Sequence, residues 1–112
     1  MTQIEIPFSP DMAIAAIEGR KIATTRSERK GGIGDTFEIQ ARSDASGYPL
    51  MEFEKFRLID IWETTLESVR DFYYHLEGFD SPEAFEKTWR ALHRGHFMTD
   101  KYYFIHFFGR IA

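Results

Sequence analysis

The chain contains no cysteine. That removes disulfides, thiolate nucleophiles and cysteine-bearing zinc sites together, and it agrees with a reducing compartment. It also lacks any apolar run near the roughly 18 residues needed to span a bilayer. The first residues, MTQIEIPFSP, have neither a basic nor an apolar leader segment, so a cytoplasmic protein without membrane contact is expected. A basic excess is missing too. The formal net charge is −4, which argues against a protein that coats nucleic acid by releasing counterions. That average hides a local reversal, because residues 20–30 hold Arg20, Lys21, Arg26, Arg29 and Lys30 against Glu28 alone. A focused basic segment on an acidic body suits one small anionic or base-like ligand better than a long polyanion.

Aromatic residues are abundant. Among 112 residues there are 11 Phe, 5 Tyr and 2 Trp, enough apolar surface for one domain over 1–112 to offset chain entropy without staples. Ile4 and Ile6 alternate with polar neighbours, a period of two that predicts a first short strand. Ser9, Pro10 and Asp11 open a helix with a capping hydroxyl, and Gly19 closes it near residue 18. Lys21–Arg26 is too short for a helix and is expected to be extended. Asp35–Arg42 and Met51–Trp62 read as a hairpin joined by the turn SDASGYP. Phe53, Leu58, Ile59 and Ile61 break strict alternation, so a bulge is expected near Lys55–Arg57. Thr64 with Glu67 makes a capping box, and Leu66, Val69, Tyr73 and Leu76 continue a second helix to Gly78. Ser81 and Pro82 open a third, with Phe85, Trp89 and Leu92 on one face, ending at Gly95. Tyr102–Phe108 closes the chain as an aromatic strand. The order β-α-β-β-β-α-α-β defines an α+β class.

Chemistry concentrates in Gly19-Arg20-Lys21-Ile22-Ala23-Thr24-Thr25-Arg26. A hydroxyl is a poor nucleophile until a neighbour takes its proton, and a lysine can do so where burial or nearby cations lower its pKa. Arg20 and Arg26 are such cations. Strand parity puts Lys21 and Thr24 on opposite faces, so Lys21 must sit in the bend after Gly19 to reach Thr24, while Thr25 shares the lysine's face and stays a rival. An exposed strand lysine is the plain alternative. Glu77 falls at the carboxyl end of the second helix, where the macrodipole disfavours a negative charge and suits a general acid. Its plain alternative is an exposed glutamate.

Other polar residues carry less. His93 and His96 lie three apart without an HExxH pattern or a completing carboxylate, so no metal or other cofactor is expected. Arg90, His93 and Arg94 more simply complement the end of the third helix. His75 and His106 give no signal. Gly31, Gly32 and Gly34 fit no phosphate-binding pattern and are expected to shape a turn before Asp35. The aromatic surplus is mainly core, with one ring available to stack on a base.

The string IEGRKIATTR resembles the ASCH family signature, a helix end followed by G-[RK]-K-x-x-T-x-R. Gly34-Asp35-Thr36-Phe37 is similar to the family's G-D-x-[FIVL] start of the next strand. Glu77-Gly78-Phe79-Asp80-Ser81-Pro82, with Phe85, Trp89, Leu92 and His93, resembles its helical insertion, and Tyr103–Phe107 its closing strand. The resemblance implies a PUA-like mixed β-barrel of about five strands with two to three helices. It also implies a nucleoside or nucleobase ligand, or single-stranded RNA. A small bacterial branch hydrolyses the N4-acyl amide of N4-acetylcytidine with a lysine base, a threonine nucleophile and a glutamate acid. Lys21, Thr24 and Glu77 match those three, while Ile22 and Ala23 depart from that branch. Arg26, Arg20 and Thr25 then fall to substrate binding. A non-catalytic RNA- or nucleobase-binding module and a ribonuclease are the alternatives.

Overall fold

A computed structural model of the protein describes residues 2–43 and 50–111. Three α-helical segments and four strands follow in the order α1 (Pro10–Ile17), β1 (Ala23–Arg26), β2 (Thr36–Ser43), β3 (Leu50–Thr65), α2 (Leu66–Ser68), α3 (Pro82–Leu92) and β4 (Tyr102–Arg110). The strands form one antiparallel sheet in the order β1-β4-β3-β2, curled into a half-barrel. No described helix is long and apolar enough to cross a membrane.

The expected first strand forms only as an isolated parallel bridge between Gln3 and Thr36. Ile4 N donates to Thr36 O and Thr36 N to Thr2 O, at 2.8 and 3.0 Å, and Pro7 then offers no N–H to continue a ladder. The segment still closes the structure. It runs along the β2 edge and turns back to β1, where Arg26 Nη2 donates to Pro7 O at 2.6 Å.

Sheet parity divides the apolar residues between two faces. Phe37, Ile39, Phe56, Leu58 and Phe108 pack with Ile6, Ala13 and Ala16 under α1. Ala23, Tyr103 and Ile105 pack on the other face with Leu66, Val69, Phe85 and Trp89. The expected single core is therefore two clusters. Within β3 the parity break lies between Leu58 and Asp60 against β4, whereas the β2–β3 register runs unbroken through Lys55–Arg57. The bulge is thus nearer Ile59 than expected. Ile59 leans on Gly109, where an added Cβ would come within 2.9 Å of its Cδ1. Of the SDASGYP turn, residues 44–49 lie outside the described residues.

Two helix starts also differ. α1 begins at Pro10 with Ser9 as its N-cap residue, as expected, but the Ser9 hydroxyl makes no capping bond, and Ala13 N donates to Ser9 O. The second helix is capped by Thr65, whose hydroxyl accepts from Ser68 N, because β3 runs past Thr64 to Thr65. After three residues it widens into a π-helical turn, Val69–Tyr73, and ends in tight turns. π-Helical turns are uncommon and cluster at functional sites. Here the turn leads into Leu76 and Glu77.

Candidate active site

Three local devices bring distant residues together. Gly19, at φ +83°, ends α1, and Lys21 N then donates to Ala15 O at 3.1 Å, so Lys21 sits in the bend before β1. Leu76 O accepts from both Ile22 N and Ala23 N, at 2.8 and 3.0 Å, which stitches the turn after the π-helical segment to the start of β1. Gly78, at φ +93°, packs on Lys21, where an added Cβ would lie 3.2 Å from Lys21 Cβ.

The result is a buried cluster. Lys21 Nζ donates to Glu77 Oε1 at 3.0 Å and to Glu77 O at 3.1 Å. Their side chains are only 3% and 4% exposed. The second carboxylate oxygen, Oε2, accepts from Thr25 Oγ1 at 2.6 Å. Thr24, also buried, faces the other way: its Oγ1 accepts from Arg26 Nη1 at 2.6 Å. Strand parity explains the split, since Thr24 and Arg26 share one face of β1 and Thr25 the opposite one. Burial pushes the Lys21 pKa below that of an ordinary lysine, against the opposing pull of Glu77, and Arg26 adds to the lowering. Burial likewise lowers Arg26.

β1 is an edge strand, and its free edge opens into a cleft of about 530 Å³. Lys21, Thr24, Thr25, Arg26 and Glu77 all line it. One wall comes from the Pro7–Ser9 segment and Met12. The other is aromatic, from Phe79, Phe85, Trp89 and Tyr103. That volume and mixed lining lie in the usual range, about 300–1,000 Å³, of small-molecule sites.

Arg20 is not part of this cluster. Its side chain is 56% exposed and pairs with Glu18 at 2.7 Å, because the residue after Gly19 emerges on the outer surface at the end of α1. The cation that acts on Lys21 is Arg26. Arg29 and Lys30 also lie outside the cleft lining. His93 completes the end of α3, with Nδ1 2.8 Å from Trp89 O and its ring stacked on Trp89. Among the described residues no group of three or more His, Asp or Glu side chains could hold a metal ion. Gly32 and Asp35 close the glycine turn as expected, Asp35 Oδ2 accepting from Gly32 N at 2.8 Å.

The residue that sequence reasoning missed is His106. Its side chain is fully buried beside Thr24. The available signal was a single polar residue in the aromatic run YYFIHFF, which must find partners if the strand is buried.

Two solved structures are similar in fold over nearly the whole chain. An ASCH domain from Lactobacillus crispatus JV V101 superposes with a TM-score of 0.62 at 13% identity, covering 97% of this chain and 77% of that one. The fold is that of an ASCH domain. A DUF984 family protein from Enterococcus faecalis V583 gives a TM-score of 0.60 at 16% identity, over 98% of this chain and 75% of that one. At these identities the likeness is one of fold. No family model matches the sequence, and no curated protein matches it. In this ASCH fold the cleft lies over the β1 edge, between the α1 side and the helical segment that carries Glu77.

Proposed function

We propose that the chain is an amidohydrolase that cleaves the N4-acyl amide of N4-acetylcytidine or a related N4-acylcytosine without a metal ion. Lys21 is the base, Thr24 the nucleophile and Glu77 the general acid. The observation that carries this reading is the buried Lys21–Glu77 contact of 3.0 Å in the cleft that Thr24 also lines.

A proton shared between Nζ and Oε1 gives the pair two forms: an ammonium beside a carboxylate, or a neutral amine beside a carboxylic acid. The second form supplies a base and an acid at once. Thr24 faces away from the pair, so its hydroxyl proton reaches the Lys21 amine across the cleft that both line, as Oγ1 bonds to the acyl carbon. The C–N4 bond then breaks, and Glu77 gives its proton to the departing amine. An acyl-threonine ester and an ammonium–carboxylate pair remain. In the second half Glu77 takes a proton from water, the resulting hydroxide adds to the ester, and Lys21 returns its proton to Thr24. Arg26 holds positive charge on the oxygen that becomes anionic, and the aromatic wall gives the base a face on which to stack.

One observation favours a second assignment within the same reaction. Thr25 already donates to Glu77 Oε2 at 2.6 Å, which would make Thr25 the nucleophile and Glu77 its base. Incubation with N4-acetylcytidine tests the shared reading: cytidine and acetate should accumulate together. Their absence with well-folded protein would leave a binding module, whose affinity for RNA should fall steeply with salt.

A further inference from the structure

We propose that His106 is a positioning residue for this cleft, its ring tying the backbone of Thr24 to the loop that carries Arg29 and Lys30. The inference rests on the reading of Thr24 as nucleophile, but its geometry stands apart from the substrate.

His106 is fully buried within the aromatic run of β4, where an unsatisfied ring nitrogen would be costly. Nε2 lies 2.9 Å from Lys30 N. A backbone N–H can only donate, so Nε2 is an acceptor and the ring proton resides on Nδ1. Nδ1 then donates to Phe104 O at 3.1 Å and Thr24 O at 3.3 Å. The tautomer follows from the partners and is the neutral one.

These contacts join three segments: β4 itself, β1 and the loop before β2. Thr24 is the register partner of His106 across the β1–β4 ladder. β1 has only four residues and one paired neighbour strand, so a side-chain tie to the Thr24 carbonyl adds to the Leu76, Glu77 and Pro7 contacts that hold it. The same ring holds the loop at Lys30, directly before Gly31 at φ +71°.

Protonation would place an N–H against the Lys30 N–H and undo that tie. The surroundings oppose it: burial lowers the His106 pKa first, and the cations Arg26 from β1 and Arg29 from the loop add to the effect, against the Thr24 and Phe104 carbonyls. On β3 the facing partner is Ile61, which is uncharged. β4 contributes no acid.

The test combines nitrogen NMR of the ligand-free protein with kinetics on three variants, His106→Asn, His106→Gln and His106→Phe. In the wild type the ring should show Nδ1–H with an unprotonated Nε2. On acidification the Lys30 and Thr24 amides should shift with the His106 titration. His106→Phe should lose at least about tenfold in kcat on N4-acetylcytidine with KM little changed. His106→Asn, which keeps a donor for Thr24 O, should recover part of that loss. His106→Gln should remove the acid limb of the kcat/KM profile. An Nε2–H tautomer, Lys30 and Thr24 amides that ignore the titration, or wild-type kcat in a folded His106→Phe would overturn the proposal. If the wild type does not hydrolyse the nucleoside, the functional reading fails, while the substrate-free spectra still decide the role of His106.

Discussion

Arg26 donates to the hydroxyl oxygen of Thr24 at 2.6 Å, and because a guanidinium cannot accept, the Thr24 proton is left to point elsewhere. The other partners of this guanidinium are also neutral oxygens, Thr25 O at 3.0 Å and Pro7 O at 2.6 Å. Its charge is therefore available to an anion forming at Thr24. Arg26→Lys keeps a charge but loses the fork that spans these oxygens, and kcat should fall about a hundredfold, the scale for losing one preorganised donor. Steady-state kinetics check this. Unchanged kcat would reduce Arg26 to a strut between β1 and Pro7.

The Lys21–Glu77 pair makes a prediction about stability as well as rate. Glu77→Gln leaves a buried amine without its counter-charge, and breaking such a pair costs about 3–5 kcal/mol. A lysine whose folded pKa is depressed carries its penalty in full below that pKa. The penalty is relieved as pH rises toward the ordinary value of 10.5. Urea titrations of Glu77→Gln should therefore show a deficit near neutrality that narrows in alkali. Lys21→Arg should be inactive, since arginine stays protonated. A variant with near-normal turnover would make Lys21 an electrostatic contact only.

His106 sets the sign of the pH dependence in mild acid. Its folded pKa is lowered from 6.5, so the unfolded chain takes up a proton first and stability falls as pH drops below that value. Asp35, lowered from 3.8 by the Thr2 and Gly32 amides, contributes stability that is lost only as pH falls below 3.8. Thermal melts of the wild type should thus weaken in mild acid, and His106→Gln should flatten that first step. An identical slope in the variant would assign the loss to another group.

Glycine substitutions separate backbone strain from packing. Gly95 and Gly78 are both left-handed, at φ +82° and +93°, but an added Cβ meets nothing within 4 Å at Gly95 and lies 3.2 Å from Lys21 Cβ at Gly78. Gly95→Ala should cost about 1–2 kcal/mol from conformation alone. Gly78→Ala should cost more and also lower kcat by moving Lys21. Equal losses in urea denaturation, with activity intact, would show that Lys21 yields freely.

Local signals made much of the fold legible. Ser81-Pro82 and Gly19 marked the α3 start and the α1 end, alternation gave β2, the hairpin reading gave β3, and the aromatic run gave β4, each to within a few residues. The Gln3–Thr36 bridge was less so, because parallel pairing between distant residues leaves no local trace. The widening at Val69–Tyr73 was hidden because Leu66, Val69, Tyr73 and Leu76 keep an apolar face whether or not one turn is enlarged. In the cleft, the spacing of Lys21, Thr24, Thr25 and Arg26 showed where polar chemistry gathers, and parity warned that the two threonines part. It could not show which partner each would find. Arg20 pointed outward because the φ of Gly19 reverses the chain. His106 stayed unread because its partners lie on β1 and the loop, far away in sequence.

The most direct measurement is turnover of N4-acetylcytidine by wild type, Thr24→Ala and Thr25→Ala side by side, with folding checked for each. The wild type should release cytidine and acetate in equal amounts, and Thr24→Ala should lose roughly a thousandfold or more in kcat. Thr25→Ala should stay within about tenfold, the scale of roughly 1.4 kcal/mol from misplaced groups. A dead Thr25→Ala beside an active Thr24→Ala would transfer the nucleophile to the residue bonded to Glu77. No release of cytidine by the folded wild type would contradict the hydrolase reading itself.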